Sequence, residues 1–556
     1  MRINFSKKEL YILARRAALI AGIVAVVLSI LLIANYLQTK NAEPLNSPVL
    51  KQMMTQLQQN PNDETLKAQI RALDLLARKA YFVNQWQLRT GGFILFVSVL
   101  VLLVSLKYMS SLRPALPDLN ANGESASWEQ KVLARRGVIY FGLCFFVFAF
   151  LLGLLAENQL KDRVIKATFP SEEELRANWP NFRGPFGQGV AFVRKAPTIW
   201  NGKTGENIKW KTAVPLPGYN SPVAWEDKIF LSGAEKESQQ VFCFDAGSGE
   251  MLWSVDLNDI PGHPEESPDV ADDTGFAAPT CAVDGERLFV IYATGDLACL
   301  DFDGTRLWAK NLGLPDNHYG HASSLITFND LLLVQYDTNE GRHLYAFRST
   351  TGEQVYAAPR EDVGISWASP ALFHHNERDE VVLNSNPFVI SYDPATGQEL
   401  WRVDCMDAEV GPSVAYADGI VYAVNEYARL AAIKLEGTPH IAWEYEDDLP
   451  EASSPVIANG LLFMASSYGT VTCFDAQSGE VQWSHEFDEG FYSSPIAAGG
   501  NIYLMDHDGV VHVFAAASEF TPIADNPLGE KADTVPAFMN GRIYIRGHNN
   551  LFCIGK

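Results

Sequence analysis

Three stretches of this 556-residue chain are near copies of one another: VFCFDAGSGEMLW (241–253), VISYDPATGQELW (389–401) and VTCFDAQSGEVQW (471–483). Each is a short apolar run, an Asp, a turn containing Gly, and a second run that ends in Trp. A repeat constrains a fold more than any composition does, because each copy must be one supersecondary unit that buries its apolar faces only against its neighbours. The phrase closes on an aromatic residue at Trp210, Trp253, Trp308, Tyr356, Trp401, Trp443 and Trp483, with a degraded copy near residues 511–523.

A second phrase alternates with the first: a small residue with Pro, a short strand, an Asn-Gly or Asp-Gly turn, and another strand. Its copies begin at Ser221-Pro222, Ala278-Pro279, Ser323-Ser324, Ser369-Pro370, Pro412-Ser413, Ser454-Pro455, Ser494-Pro495 and Val535-Pro536. The two phrases together make four strands in each period of about 40–50 residues, which predicts an all-β propeller of eight four-stranded antiparallel blades. Asn-Gly and Asp-Gly supply the positive φ that tight hairpins need. The position two before the Asp site is small throughout (Cys243, Cys299, Ala346, Ser391, Ala432, Cys473, Val513, Cys553), as expected where faces press together. The Trp offers a broad ring and an N–H that needs a partner, so it is expected to dock each blade on the next. The repeat opens with only an outer phrase (TGENIKW, 204–210) and ends with inner strands that lack one (541–555). The first strand is therefore expected to complete the last blade, leaving no free sheet edge.

The first part of the chain reads differently. Uncharged apolar runs at 17–37, 91–106 and 137–156 compare with the ~20 residues of a membrane span. Residues 1–157 are accordingly read as an α-helical anchor with three spans, with a helical hairpin at 38–90 and a linker at 158–177. The first run is too long for the apolar core of a cleaved leader. Lys7, Lys8, Arg15 and Arg16 before the first span, and Lys107, Arg113, Lys131, Arg135 and Arg136 between the second and third, put the N-terminus on the cytoplasmic side and the repeats outside, by the positive-inside rule. The reading is of a bacterial inner-membrane protein with a periplasmic propeller.

Charge divides the chain in the same way. Residues 1–157 carry 17 Lys+Arg and 9 Asp+Glu; residues 158–556 carry 26 and 57. So acidic a domain repels phosphate backbones and anionic lipid surfaces, which excludes nucleic acid as its partner. Of the seven Cys, Cys144 falls in a span, four hold the small blade position, and Cys281 and Cys405 lie elsewhere; they read as core thiols.

Residues from about 178 to the end resemble the pyrroloquinoline-quinone (PQQ)-like eight-bladed propellers, through DPATGQELW, APTCAVDGERLF and FDAQSGEVQW, and through NWPNFRGPFGQGV at 178–190. The resemblance implies two functions. Quinoprotein dehydrogenases of this superfamily bind PQQ on an aromatic floor, hold Ca²⁺ by carboxylate and amide oxygens, use an Asp base, and often carry a vicinal Cys-Cys lid. Other members are non-catalytic, such as the B subunit of the outer-membrane barrel assembly machinery. Here there are no adjacent cysteines, and about 48 residues per blade leave little for a lidded site. Membrane-bound glucose dehydrogenases, which pair spans with a propeller and lack the Cys pair, keep the enzyme alternative open. Trp367, Arg360 and Asp337 are the candidate cofactor residues in the axial funnel, alongside Tyr219, His321, Glu409 and Tyr492 on the segments that start inner strands. The acidic insertion 258–275 (Glu265, Glu266, Asp269, Asp272, Asp273) is read as solvated rather than as a Ca²⁺ loop, and no metal or catalytic residue is assigned. The expectation is a non-catalytic scaffold of an envelope complex, with no cofactor and with other envelope proteins and the bilayer as partners. The alternative is a PQQ- and Ca²⁺-dependent alcohol or sugar dehydrogenase that passes electrons to membrane quinone.

Overall fold

The computed structural model describes residues 7–42, 98, 101–102, 104–108, 169–317 and 319–555, and the chain divides into two compact units, 1–168 and 169–556. In the first, helix α1 (Lys7–Ala42) contains the apolar stretch Leu10–Leu28, the one helix among the described residues long and apolar enough to cross a membrane. Ala14, Ala18, Ala21 and Ala25 recur at helical spacing and are buried, while Leu13, Ile20 and Val26 are exposed. A Cβ on Gly22 would lie 3.8 Å from Leu102, so small side chains form the side of α1 that a second apolar helix approaches. The run at 91–106 is described only in part. The run at 137–156, and the predicted hairpin beyond residue 42, lie outside the described residues.

The second unit begins with the short helix α2 (Glu172–Ala177), whose Ser171 and Glu174 form a reciprocal capping box. Eight antiparallel sheets follow. Blade 1 is Val223–Trp225, Lys228–Glu235, Ser238–Asp245 and Met251–Asp256, from inside outwards. Blades 2 to 7 repeat that order, ending at outer strands Arg306–Asn311, Gln354–Pro359, Glu399–Asp404, His440–Tyr445, Val481–Glu486 and Pro522–Pro527. Blade 8 is composite: Ala537–Met539, Arg542–Arg546 and Asn550–Ile554 come from the C-terminus, and Ile208–Ala213 pairs with Asn550–Ile554 as the fourth strand. The ring closes as the sequence predicts.

The repeated aromatic docks six of the eight blades to the next. Trp210 donates its indole N–H to the Ala246 carbonyl (3.3 Å), Trp253 to Phe302 (2.9 Å), Trp308 to Ser349 (2.9 Å), Trp443 to Ala476 (3.1 Å) and Trp483 to Ala517 (3.0 Å); the Tyr356 hydroxyl donates to Pro394 (2.9 Å). Each acceptor is in the next blade's turn. The turn glycine lies under the ring: a Cβ on Gly249, Gly352, Gly397 or Gly479 would come within 2.5–2.7 Å of the preceding blade's Trp or Tyr. The small residue two before the Asp is the cross-strand partner of its own blade's aromatic, as in Cys243 with Trp253 and Cys473 with Trp483, and a bulge follows it. Trp401 departs from the pattern. Blade 5 reads LEGTPH at this turn, without the Asp, and Trp401 donates instead to the buried Glu380 within its own blade (2.7 Å). Glu380 also accepts from Ser391 Oγ (2.6 Å) and is paired with Arg378, so the indole satisfies a carboxylate that burial would otherwise penalise.

The second phrase builds the inner ring. The Ser221 N–H donates to Thr280 Oγ1 (2.9 Å), Thr280 to Ser324, Ser324 to Ser369, Ser369 to Ser413, Ser413 to Ser454, and Ser454 to Ser494; Val535 N–H returns to Ser221 Oγ. One hydroxyl from each of blades 1 to 7 thus ties the starts of the inner strands into a necklace. In blade 2 the hydroxyl belongs to Thr280, two residues beyond the Ala278 that the sequence phrase suggests. The necklace has one gap, where Val535 follows Ser494 and carries no hydroxyl.

Residues 178–191 run inside this ring. Trp179 pairs with Ala224 of blade 1, the Val283 N–H of blade 2 reaches Pro180 O, and Gln188 bridges Leu372 O of blade 4 and Tyr416 N of blade 5. Val190–Ala191 pairs in parallel with the inner strand of blade 7. Arg183, fully buried, donates to the carbonyls of Val414 and Pro455 in blades 5 and 6. Burial pulls this guanidinium down to about 9, and backbone carbonyls rather than a carboxylate hold it. The N-terminal segment therefore fills one end of the axial channel.

Candidate functional site

Antiparallel order puts two kinds of loop at the opposite end of the ring: the eight connections between blades and the hairpins between second and third strands. All the sequence-predicted funnel residues lie there, but they separate into two layers. Asp337 ends the second strand of blade 3, and Arg360 follows its outer strand. Their side chains are fully buried and ion-paired with each other, and Asp337 also accepts from Gln335 Nε2 (3.2 Å) and from the Ser366 N–H (3.3 Å). Burial raises the Asp337 carboxyl, opposed by Arg360. The pair is buried and ties blade 3 to the start of blade 4, while Asp337 Oδ1 and Arg360 Nε and Nη2 have no hydrogen-bond partner among the described residues. Trp367 is part-buried, donates to Gly320 O (2.9 Å), and meets the Tyr319 ring edge-on, with centroids 5.0 Å apart at 74°. Asp337 and Arg360 thus meet at Ser366, the residue before Trp367, whose own ring is turned to Gly320 and Tyr319. His321 is buried against Tyr336 and pulled down to about 4 by desolvation, so it is neutral.

The outer layer is an arc of tyrosines and carboxylates. Tyr319 donates to Glu409 (2.9 Å), Tyr468 to Glu426 (2.7 Å), Tyr492 to Glu451 (3.2 Å) and Tyr219 to the Asp272 carbonyl (2.9 Å). Beyond Tyr492, His507 stands edge-on to its ring (4.6 Å), and Asp533 accepts from both His507 and His548 (2.8 Å each). Burial and Glu451 push Tyr492 up to about 12, and the hydrogen bond to Glu426 does the same to Tyr468. Asp273 is near enough to raise Tyr219, Tyr319 and Tyr492, which belong to three different blade connections. The acidic insertion therefore leans over the mouth of the axis. Its base is fixed by His263 on the buried Asp296 (2.5 Å) and by the ion pair of Asp259 with Arg306. Among the described residues, no three or more His, Cys, Asp or Glu side chains converge as metal ligands would.

Sequence reasoning named Tyr219, Glu409 and Tyr492 but missed Tyr319, Tyr427 and Tyr468. Tyr427 and Tyr468 sit in hairpins that carry no repeat signal; the signal available was NEYA and SSYG, an aromatic at a turn where nothing in the fold needs one. The described cysteines are all free and buried, and burial lifts Cys243, Cys281, Cys405 and Cys473 to about 12, so they are inert core thiols.

Known proteins share this architecture. A europium-containing methanol dehydrogenase superposes with a TM-score of 0.56 at 13% identity, covering 70% of this chain and 92% of its own. The quinohemoprotein alcohol dehydrogenase of Comamonas testosteroni gives 0.53 at 12% identity, covering 68% and 80%. BamB from Moraxella catarrhalis gives 0.48 at 17% identity, covering 62% of this chain and 99% of its own. At these identities the likeness is one of fold alone. No curated protein matches the chain. The family model described as outer membrane protein assembly factor BamB matches residues 237–387 and 385–519, which is just over half of the sequence and takes in the docking aromatics from Trp253 to Trp483. The eight blades, the Trp latch and this match together make the chain a member of the PQQ-like, BamB-type propeller family.

Proposed function

We propose that this protein is a non-catalytic scaffold: a propeller held at the bacterial inner membrane by its N-terminal helices, with three spans, a cytoplasmic N-terminus and the propeller in the periplasm, presenting its connection end to other subunits of an envelope complex. The observation that carries this reading is the pairing of Asp337 with Arg360. The two charges that a bound cofactor would have to recruit are ion-paired with each other below the surface, while the groups left at the surface are tyrosines and carboxylates suited to recognition. The filled axis supports the same reading, because Arg183 and its segment occupy the channel from the other end. The exposed apolar side of α1 supports the membrane anchor.

The second reading is a PQQ-dependent dehydrogenase, favoured by the fold shared with the methanol and alcohol dehydrogenases. Native mass spectrometry of the full chain, extracted gently from its own membrane, separates the two. The scaffold reading expects a cofactor-free propeller that travels with other envelope subunits. A bound mass equal to PQQ plus Ca²⁺, lost on adding a chelator, would overturn it.

A further inference from the structure

The eight blade connections (214–222, 257–281, 312–325, 360–370, 405–414, 446–455, 487–495 and 528–536) hold nineteen Asp or Glu and two Lys or Arg. Both cations are engaged: Arg360 is buried on Asp337, and Lys531 lies 3.7 Å from Asp508. A net excess of negative charge remains at this end, although Asp259, Glu530 and Asp533 have partners in Arg306, Lys211 and the pair His507 and His548. It is also interleaved with aromatic rings. Tyr427 and Tyr468, in neighbouring hairpins of blades 5 and 6, are 73% and 71% exposed, the most open large hydrophobic residues of the described propeller. Exposure of that kind has no folding purpose, since each ring forgoes the burial its size would reward. Beneath the same arc, Asn425 Oδ1, Ser453 Oγ and Ser493 Oγ are buried oxygens with no hydrogen-bond partner. They sit next to Glu426, two residues from Glu451, and next to Tyr492. Carboxylates and ring faces together suit one chemistry: guanidinium or ammonium groups, which donate hydrogen bonds, carry positive charge and stack on aromatic faces.

We infer that the arc formed by Glu409, Glu426, Tyr427, Glu451, Tyr468 and Tyr492 docks an extended, Arg- and Lys-rich segment of a partner protein. An extended segment fits better than a single small cation, because the seats are spread over the connections and hairpins of successive blades. Tyr468 held by Glu426 and Tyr492 held by Glu451 give rings whose hydroxyls are already satisfied, so their faces are presented without an ordering cost at binding. The carboxylates would speed encounter by electrostatic steering, and the rings would lengthen the complex's life. This inference rests on the scaffold reading and adds the partner's chemistry and the docking end.

The test is a titration of the intact protein in nanodiscs of neutral lipid with a fluorescein-labelled alternating Arg-Gly peptide, read by anisotropy. Saturable binding is expected. Tyr427→Ala with Tyr468→Ala should weaken it about tenfold, as two exposed cation–π contacts together imply. Glu426→Gln with Glu451→Gln should weaken it and flatten its salt dependence. Neutralising three carboxylates on turns at the other end, Glu250→Gln, Glu353→Gln and Glu480→Gln, should leave it unchanged. Equal losses from both sets, or no loss from the tyrosine pair, would overturn the inference and leave only diffuse attraction to an acidic domain. The scaffold reading fails by a different observation, the quinone mass in native spectra, so the two failures are distinguishable.

Discussion

A single glycine decides whether a blade can seat the preceding blade's ring. Gly479 has φ +75°, and a Cβ there would stand 2.5 Å from Trp443 Cδ2; Gly437 has nearly the same φ, +76°, with nothing within 4 Å. The pair separates backbone strain from the latch. Gly437→Ala should cost about 1–2 kcal/mol, the price of a left-handed L-residue. Gly479→Ala should cost about 1–3 kcal/mol more, because the ring must shift; urea denaturation of the two variants measures the difference. Trp401 tests the exception. Trp401→Phe removes one of the donors to Glu380, and a buried carboxylate short of a donor should cost about 1–3 kcal/mol. In the Glu380→Gln background the same change should cost less, and a double-mutant cycle reports the coupling.

At the level of elements, the hydroxyl necklace and the junction of blades 7 and 8 carry the next two expectations. Val535 interrupts the necklace at Ser494. Val535→Thr keeps the branched shape and offers the missing acceptor, so it should be neutral or stabilising by up to about 1 kcal/mol, where an ordinary buried Val→Thr change destabilises; thermal denaturation reads the sign. At the junction, the hydrogen bond to Asp533 raises His507, and Asp533, although burial opposes it, is held low by His507 and His548. His507 contributes its stability in full below the unfolded value of about 6.5. That contribution is lost as pH rises through its higher folded value. Asp533 contributes above about 3.9 and loses its part as pH falls through its lower folded value. The junction should therefore be tightest from about pH 4 to pH 6.5. Denaturation midpoints of His507→Gln against the parent should differ more at pH 5.5 than at pH 8.5.

For the molecule as a whole, closure is the property that no local segment holds. Strand Ile208–Ala213 has its partner in Asn550–Ile554, more than three hundred residues away in the sequence, and Trp210 then docks blade 8 on blade 1. Deleting residues 550–556 should free Ile208–Ala213, expose two sheet edges and open the ring. Limited proteolysis should then cut within 204–213, and the near-ultraviolet signal of the docked indoles should fall. The intact chain should resist at that site.

The eight blades, the Trp latch and the composite last blade were legible in the sequence because they are periodic: one packing problem, solved eight times, leaves the same residues at the same interval. The small residue two before the Asp site was legible too, although its reason, a bulged pairing opposite the aromatic of its own blade, appears only in the register. The seat of Trp401 was not legible, because a buried carboxylate 21 residues earlier redirects the indole, and sequence spacing does not report burial. Nor was the fate of Asp337 and Arg360: two charges 23 residues apart read as solvated loop or cofactor ligand until the fold buries them against each other. The tyrosine arc lies in loops that carry no period, so only the convergence of connections from different blades brings Glu409 to Tyr319 and Glu451 to Tyr492. The sequence by itself determined the repeat, its number and its closure, since those follow from local pattern and turn chemistry. The tertiary structure alone decided which polar groups are buried together and which stay at the surface, because desolvation and proximity arise only when distant segments meet.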